Sequence, residues 1–335
     1  MDNNEDFSKE VPRTVDGRPV RHRSHISERR RTAQRLLMSS AEEAYDGDLD
    51  VDWTLPADDD LDWLPARLSS LYGSPAWKLL NGVQRRELGR HELASILNLG
   101  ILAESALTLL MFRNIAENPD LMDDYTRYTL KAIQEETRNS AMFSRLVNKT
   151  GLFNNRSNAG AKVLSKTILF LPTGFLTAGT ILMIQEAVHS FAVAMASDPS
   201  LQPHVRQTMR IHEMSDERHI EFSRSELIAA IENSKAVSLF VGGHVLAVFV
   251  AGLYPIVLNG AVYPAIGIAA RDGLRMAKRT DQFALRARAM TDSFVRFGME
   301  HGLFGSATER AILRRGRVLP IPASMPRTAR SAERK

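Results

Sequence analysis

Four stretches of this chain run for at least eighteen residues without a proline or a glycine: 101–118, 121–149, 181–198 and 205–233. Each carries apolar residues at spacings of three and four, the period of a helix with one buried face, and strand-like alternation is nearly absent. That pattern leaves little room for a sheet. Breaks fall where turn chemistry places them, at Asn118-Pro119-Asp120, in an Asn-rich loop from Gly151 to Gly160, and at Asp198-Pro199-Ser200. A chain of 335 residues, 44% of them hydrophobic, can bury a full-sized core, so disorder is excluded for the whole.

The charge is unevenly placed. Nine bases and three acids lie between Lys9 and Arg35, ten acids and no base between Glu42 and Asp62, and eight bases and two acids from Glu309 to Lys335. The net +4 therefore belongs to the two ends, and the body is acidic. Basic ends can bind polyanions. No aromatic residue interleaves Arg29 to Arg35, however, and the simpler expectation is a basic helix folded against the acidic segment that follows it, with no nucleic acid as partner. The expected organisation is a basic flexible arm over 1–28, one domain over 29–318 and a basic disordered tail over 319–335.

From Ala236 to Leu258 there is no Asp, Glu, Lys or Arg, a length sufficient to span a bilayer. His244, paired Gly242 and Gly243, and Pro255 interrupt it, so a core helix is expected in preference to membrane contact. His244 is read as a histidine sharing a hydrogen bond, and Met183, Met195, Met209 and Met214 as gap-filling core residues. With no cysteine, disulfides, thiolate zinc sites, iron-sulfur clusters and cysteine nucleophiles are excluded. A reducing compartment fits, and the expected location is the cytoplasm. Neither a glycine-rich nucleotide loop nor a Gly-x-Ser-x-Gly nucleophile motif is present.

What chemistry remains rests on carboxylates and imidazoles. Glu104 is a lone carboxylate in an apolar stretch, where burial is costly unless it is paired or metal-bound. Glu136 and Asn139 are three apart on the second stretch, and Glu186 and His189 three apart on the third. On the fourth, His212, Asp216 and His219 step by four and then three along one stripe. A carboxylate from each of four helices, with histidines one turn away, is the arrangement of dinuclear iron and manganese bundles. Such sites suit oxygen activation. Any single pair is as well explained by surface neighbours; the ordered set, one per long helix, is harder to produce by chance.

The stretches Ser70 to Trp77, Glu135 to Phe143 and Ile211 to Ile220 resemble the p-aminobenzoate N-oxygenase family, over about Arg29 to about Arg315. The resemblance implies an all-α, ferritin-like four-helix metal bundle, with additional C-terminal helices from about Ala236 to Arg315. It further implies a dioxygen-dependent N-oxygenase holding two iron ions, or manganese. Its ligands would fall on Glu104, Glu136, Glu186, His212, Asp216 and His219. The implied partners are dioxygen, a small-molecule amine and an electron donor that the sequence does not identify, with a homodimer as the assembly to test. Two positions depart from the family pattern: Asn139 stands where a histidine ligand is expected, and Asp216 where glutamate is usual. Either His189 substitutes for the missing imidazole or it is a buried histidine bonded to a carboxylate. Arg218 is expected to pair with an acid that orients a ligand. The alternative to an enzyme is a degenerate member acting as a binding or assembly protein.

Overall fold

A computed structural model describes residues 21–43, 45–117, 123–152 and 159–320. Among them are eleven α-helices and no strand, apart from one isolated bridge between Asp62 and Leu201. The helices are α1 (Arg21–Glu42), α2 (Pro75–Leu79), α3 (Gly82–Glu117), α4 (Asp124–Lys149), α5 (Ala159–Ile168) and α6 (Phe175–Ala196). They continue with α7 (Pro203–Glu232), α8 (Ala236–Val257), α9 (Ala270–Arg279), α10 (Asp281–Glu300) and α11 (Ala307–Arg315). The chain is all-α, as its periodicity requires.

The bundle is two helix pairs, α3 with α4 and α6 with α7, and α4 and α7 close it across the middle. Local chemistry sets the ends: the Asp123 carboxylate accepts from Thr126 N at 2.8 Å to cap α4. Asp198 closes the turn before α7 by accepting from Ser200 N at 3.1 Å, and Pro203 opens the helix. The helix α3 begins nineteen residues before the stretch the sequence suggested, because its internal glycines are contact points instead of stops. At Gly100 a Cβ would lie 3.2 Å from the Phe143 ring of α4, so the glycine lets the two helices approach.

α8 and α10 pack on α6, and α11 packs on α8, so the C-terminal helices cover one side of the bundle as expected. The charge-free α8 buries Leu246, Ala247, Val250 and Tyr254 but leaves Val237, Phe240, Val241 and Val248 exposed, so it is a core helix on one face only. α3, α6 and the segment Ala236–Ile266 are each long and apolar enough to cross a membrane by length and composition. His244 donates through Nδ1 to the Phe240 carbonyl at 2.8 Å, a local hydrogen bond. Met183, Met195 and Met209 are buried, whereas Met214 is only half-buried.

The basic helix α1 lies on α4 and α7. Arg29 makes a two-pronged ion pair with Glu226, at 2.6 and 2.5 Å, and Arg35 pairs with Glu221. Within the acidic segment, Glu43 meets Arg218 at 3.2 Å and Asp48 pairs with Arg145. Arg29 and Arg35 thus pair with acids of α7 and not with the acidic segment after α1, whose Glu43 and Asp48 are taken by Arg218 and Arg145 of the bundle. Most of the arm and tail expected at 1–28 and 319–335, and the breaks at 118–120 and 153–158, lie outside the described residues.

Candidate metal centre

α3, α4 and α7 each turn acid or imidazole inward at one level of the bundle. Glu104, Glu136, Asp216, His212 and His219 are all at most 2% exposed. Groups this polar are placed in a core only when something there satisfies them.

On α7, the steps of four and three that were visible in the sequence put the three side chains on one face. The His212 imidazole lies between two helices, with Nε2 3.1 Å from Glu104 Oε1 and Nδ1 2.9 Å from Asp216 Oδ2. His219 is held in the same way, with Nε2 2.9 Å from Glu135 Oε2 and Nδ1 3.1 Å from Glu136 Oε1. The two ends of each ring differ. The Nε2 contacts have hydrogen-bond geometry. His212 Nδ1, His219 Nδ1 and Asp216 Oδ2 are buried and misaligned, and are without a hydrogen-bond partner among the described residues. Glu136, Asp216 and His219 bring their ligating atoms within 4.8 Å of one another.

The electrostatics agree with this geometry. Burial would lower the pKa of His219, but Glu136 and Glu135 outweigh it and push the imidazole up to about 10. His212 is likewise raised well above its ordinary value, against burial, by Asp216 and Glu104. Burial raises Glu104 well above the carboxylate range, and the neighbouring Glu136 charge adds to it. Glu136 is held below that range, burial being overcome chiefly by His219. Without a metal the cluster is balanced by protons held on the two imidazoles and on Glu104, and these are the protons that a metal cation would displace.

Glu135 was not singled out from sequence, though it adjoins Glu136. Its carboxylate fixes His219 through Nε2, and Arg218 reaches it at 3.5 Å, which places the arginine where an orienting partner was expected. A histidine whose outer nitrogen is held by a carboxylate presents the other nitrogen to a metal.

On α6 the structure distinguishes two neighbouring side chains. Glu186, expected among the ligands, is held through Oε1 by Arg224, whose Nε lies 2.9 Å away and which in turn reaches Ser293 Oγ at 2.9 Å, while Glu186 Oε2 is buried without a hydrogen-bond partner among the described residues and the residue stands outside the group that closes to 4.8 Å. Gln185 faces inward in its place: Nε2 is 3.5 Å from Glu136 Oε1, and Oε1 accepts from Ser223 Oγ at 2.6 Å. Asn139 is buried one turn after Glu136 and donates through Nδ2 to Ser215 Oγ at 3.3 Å. His189 is half-buried and stands outside the group that closes to 4.8 Å, with its Nδ1 lacking a hydrogen-bond partner among the described residues. Gln185 was missed because α6 is apolar almost all round, so that 185 and 186 are both buried and helical period cannot rank them.

Two cavities border the cluster. One, of about 100 Å³, is walled by α3, α5, α6 and α8; Gly100, Ala103, Ala187 and Phe191 line it, and Ser165 is its only polar side chain among the described residues. Phe143 separates it from the metal-binding face, stacking on the His212 ring with centroids 4.8 Å apart. The other, of about 330 Å³, lies beside His219 and Gln185 and is polar, with Arg29, Glu226 and Ser223 in its wall.

A family model described as P-aminobenzoate N-oxygenase AurF matches residues 26–302. No curated protein matches the chain.

Proposed function

Since the chain belongs to the p-aminobenzoate N-oxygenase AurF family, ferritin-like di-iron helical bundles, we propose that its buried cluster is a redox metal centre serving a dioxygen-dependent oxygenase. The observation that carries this reading is the convergence of Glu136, Asp216 and His219, whose ligating atoms lie within 4.8 Å of one another while His219 Nδ1 and Asp216 Oδ2 are buried without hydrogen bonds among the described residues. Two imidazoles with carboxylates and room for further ligands suit iron, with manganese as the alternative.

The residues divide the work. Glu136, Asp216 and His219 would hold the metal, with Glu104 and His212 beside them, and Glu135 would fix the His219 ring from outside. A bound metal of this kind supplies dioxygen reduction, with electrons from an external donor, one oxygen atom passing to the substrate and the other to water. The apolar cavity behind Phe143 receives the substrate. An apolar space of about 150 Å³ accepts a benzene ring, and this cavity, at about 100 Å³, is smaller, so it suits a short alkyl group or part of a ring. It offers no charged side chain to a carboxylate, which favours an uncharged apolar amine or related small molecule. The polar cavity beside His219 supplies the route for protons.

The test is anaerobic loading with Fe(II), then exposure to dioxygen with a panel of apolar amines. Substrate-dependent oxygen uptake and a product heavier by one oxygen atom support the reading; protein that binds no metal overturns it. Ala103→Phe should fill the cavity. Uptake is expected to fall roughly tenfold or more at unchanged metal content, in line with the ~1–3 kcal/mol cost of overpacking a closed site. A second reading, a degenerate member that binds without oxidising, is favoured by Asn139 and Gln185, which put neutral amides where metal donors are expected.

A further inference from the structure

We infer that this site holds one metal ion per chain and not two. The inference rests on the cluster being a metal centre, and it concerns how many ions its donors can hold. In the four-helix dinuclear pattern each of two helices gives one glutamate, and each of the other two gives a glutamate followed three residues later by a histidine. That set supplies four carboxylates and two imidazoles, which offset two dications. In this chain α3 provides Glu104, α4 provides Glu136 with Asn139, and α7 provides Asp216 with His219. The inward position of α6 is Gln185.

Two donors of the pattern are therefore neutral amides, on different helices. Both are already engaged. Asn139 gives its Nδ2 hydrogen to Ser215, and Gln185 spans Ser223 and Glu136, with its amide directed at a carboxylate oxygen that a second cation would otherwise share. Glu186, the carboxylate that could restore the fourth charge, has that charge offset by its ion pair with Arg224. Three inward carboxylates remain for the centre. Both imidazoles come from α7, His212 and His219, one helical step either side of Asp216. Only His219 of the two joins the group whose atoms close to 4.8 Å, with Glu136 of α4 and Asp216 of α7; His212 lies outside that group, between Glu104 and Asp216. The amides at 139 and 185 remove the imidazole and the carboxylate that a second full donor set would need.

The experiment is elemental analysis of the full chain loaded with Mn(II) under anaerobic conditions, read together with its electron paramagnetic resonance spectrum. The wild type is expected to hold about one ion per chain and to show the six-line signal of an isolated Mn(II) at full spin count. Asn139→His combined with Gln185→Glu should raise the content to about two and replace the six lines by the broadened, weaker signal of a coupled pair. Glu186→Gln should leave the wild-type content unchanged. Two ions in the wild type, or loss of an ion in Glu186→Gln, overturns the one-metal inference and leaves the metal centre standing. No ion in either the wild type or the double variant overturns the metal centre itself.

Discussion

His219→Ala is expected to reduce metal affinity by about 100-fold or more, roughly 2.8 kcal/mol at about 1.4 kcal/mol per decade, and to abolish oxygen chemistry with it. The side chain is fully enclosed, with one ring nitrogen directed at Glu136 and the other held by Glu135. Its removal takes away a donor and also strands Glu135 and Glu136, two buried carboxylates whose charge it balances. Equilibrium dialysis against Mn(II) or Fe(II) reads the affinity, and circular dichroism confirms that the helices remain. Glu135→Gln separates the two roles. It keeps a partner for Nε2 but can present the wrong hydrogen, and substitutions of such orienting groups cost about 10- to 100-fold. Wild-type affinity in His219→Ala would show that the imidazole is a structural bridge and that the donor set lies elsewhere.

The largest effect on stability is expected at Arg286 of α10. Its guanidinium is buried and donates in three directions: to Tyr254 Oη at 2.6 Å, to the Ser70 carbonyl at 3.0 Å and to the Arg67 carbonyl at 3.3 Å. It ties α10 and α8 to the segment before α3. Glu92 nearby accepts from Ser70 N at 2.9 Å; burial raises its pKa, opposed by hydrogen bonds from Ser70 and Ser69 and least by the charge of Arg286. Arg286→Ala therefore leaves two carbonyls and a phenol without their donor. The cost is about 3–5 kcal/mol, the combined loss of three buried hydrogen bonds given by a charged group. Urea unfolding measures it. Arg286→Lys should recover only part of the loss, because a single ammonium cannot reproduce the planar fork. A change below about 1 kcal/mol for the alanine variant would show that water replaces these bonds.

The glycines of α3 illustrate what escaped a linear reading. Gly89 and Gly100 look like helix breakers in isolation, at about 1 kcal/mol each relative to alanine. In the fold Gly100 faces Phe143, and the close approach that it permits offsets the propensity cost. Only the partner helix shows why the residue is small. The basic N-terminal region follows the same logic. Its arginines read equally as a polyanion arm or as a folded helix, and the acids that decide the matter, Glu221 and Glu226, are nearly two hundred residues away in the chain.

By itself the sequence determined that the chain is helical and that α7 carries a stripe of histidine, aspartate and histidine on one face. Both follow from the 3.6-residue period, since His212, Asp216 and His219 share a face in any α-helix. It also placed Glu104 and Glu136 as inward carboxylates and marked Asn139 as a missing imidazole. The tertiary structure alone decided α6. With apolar residues on all sides of that helix, the period is silent about whether Gln185 or Glu186 enters the site. Arg224, supplied by α7, captures the glutamate and rotates the choice to the glutamine. A charge partner on a neighbouring helix is a property of packing, and it decides how many charged donors the centre retains.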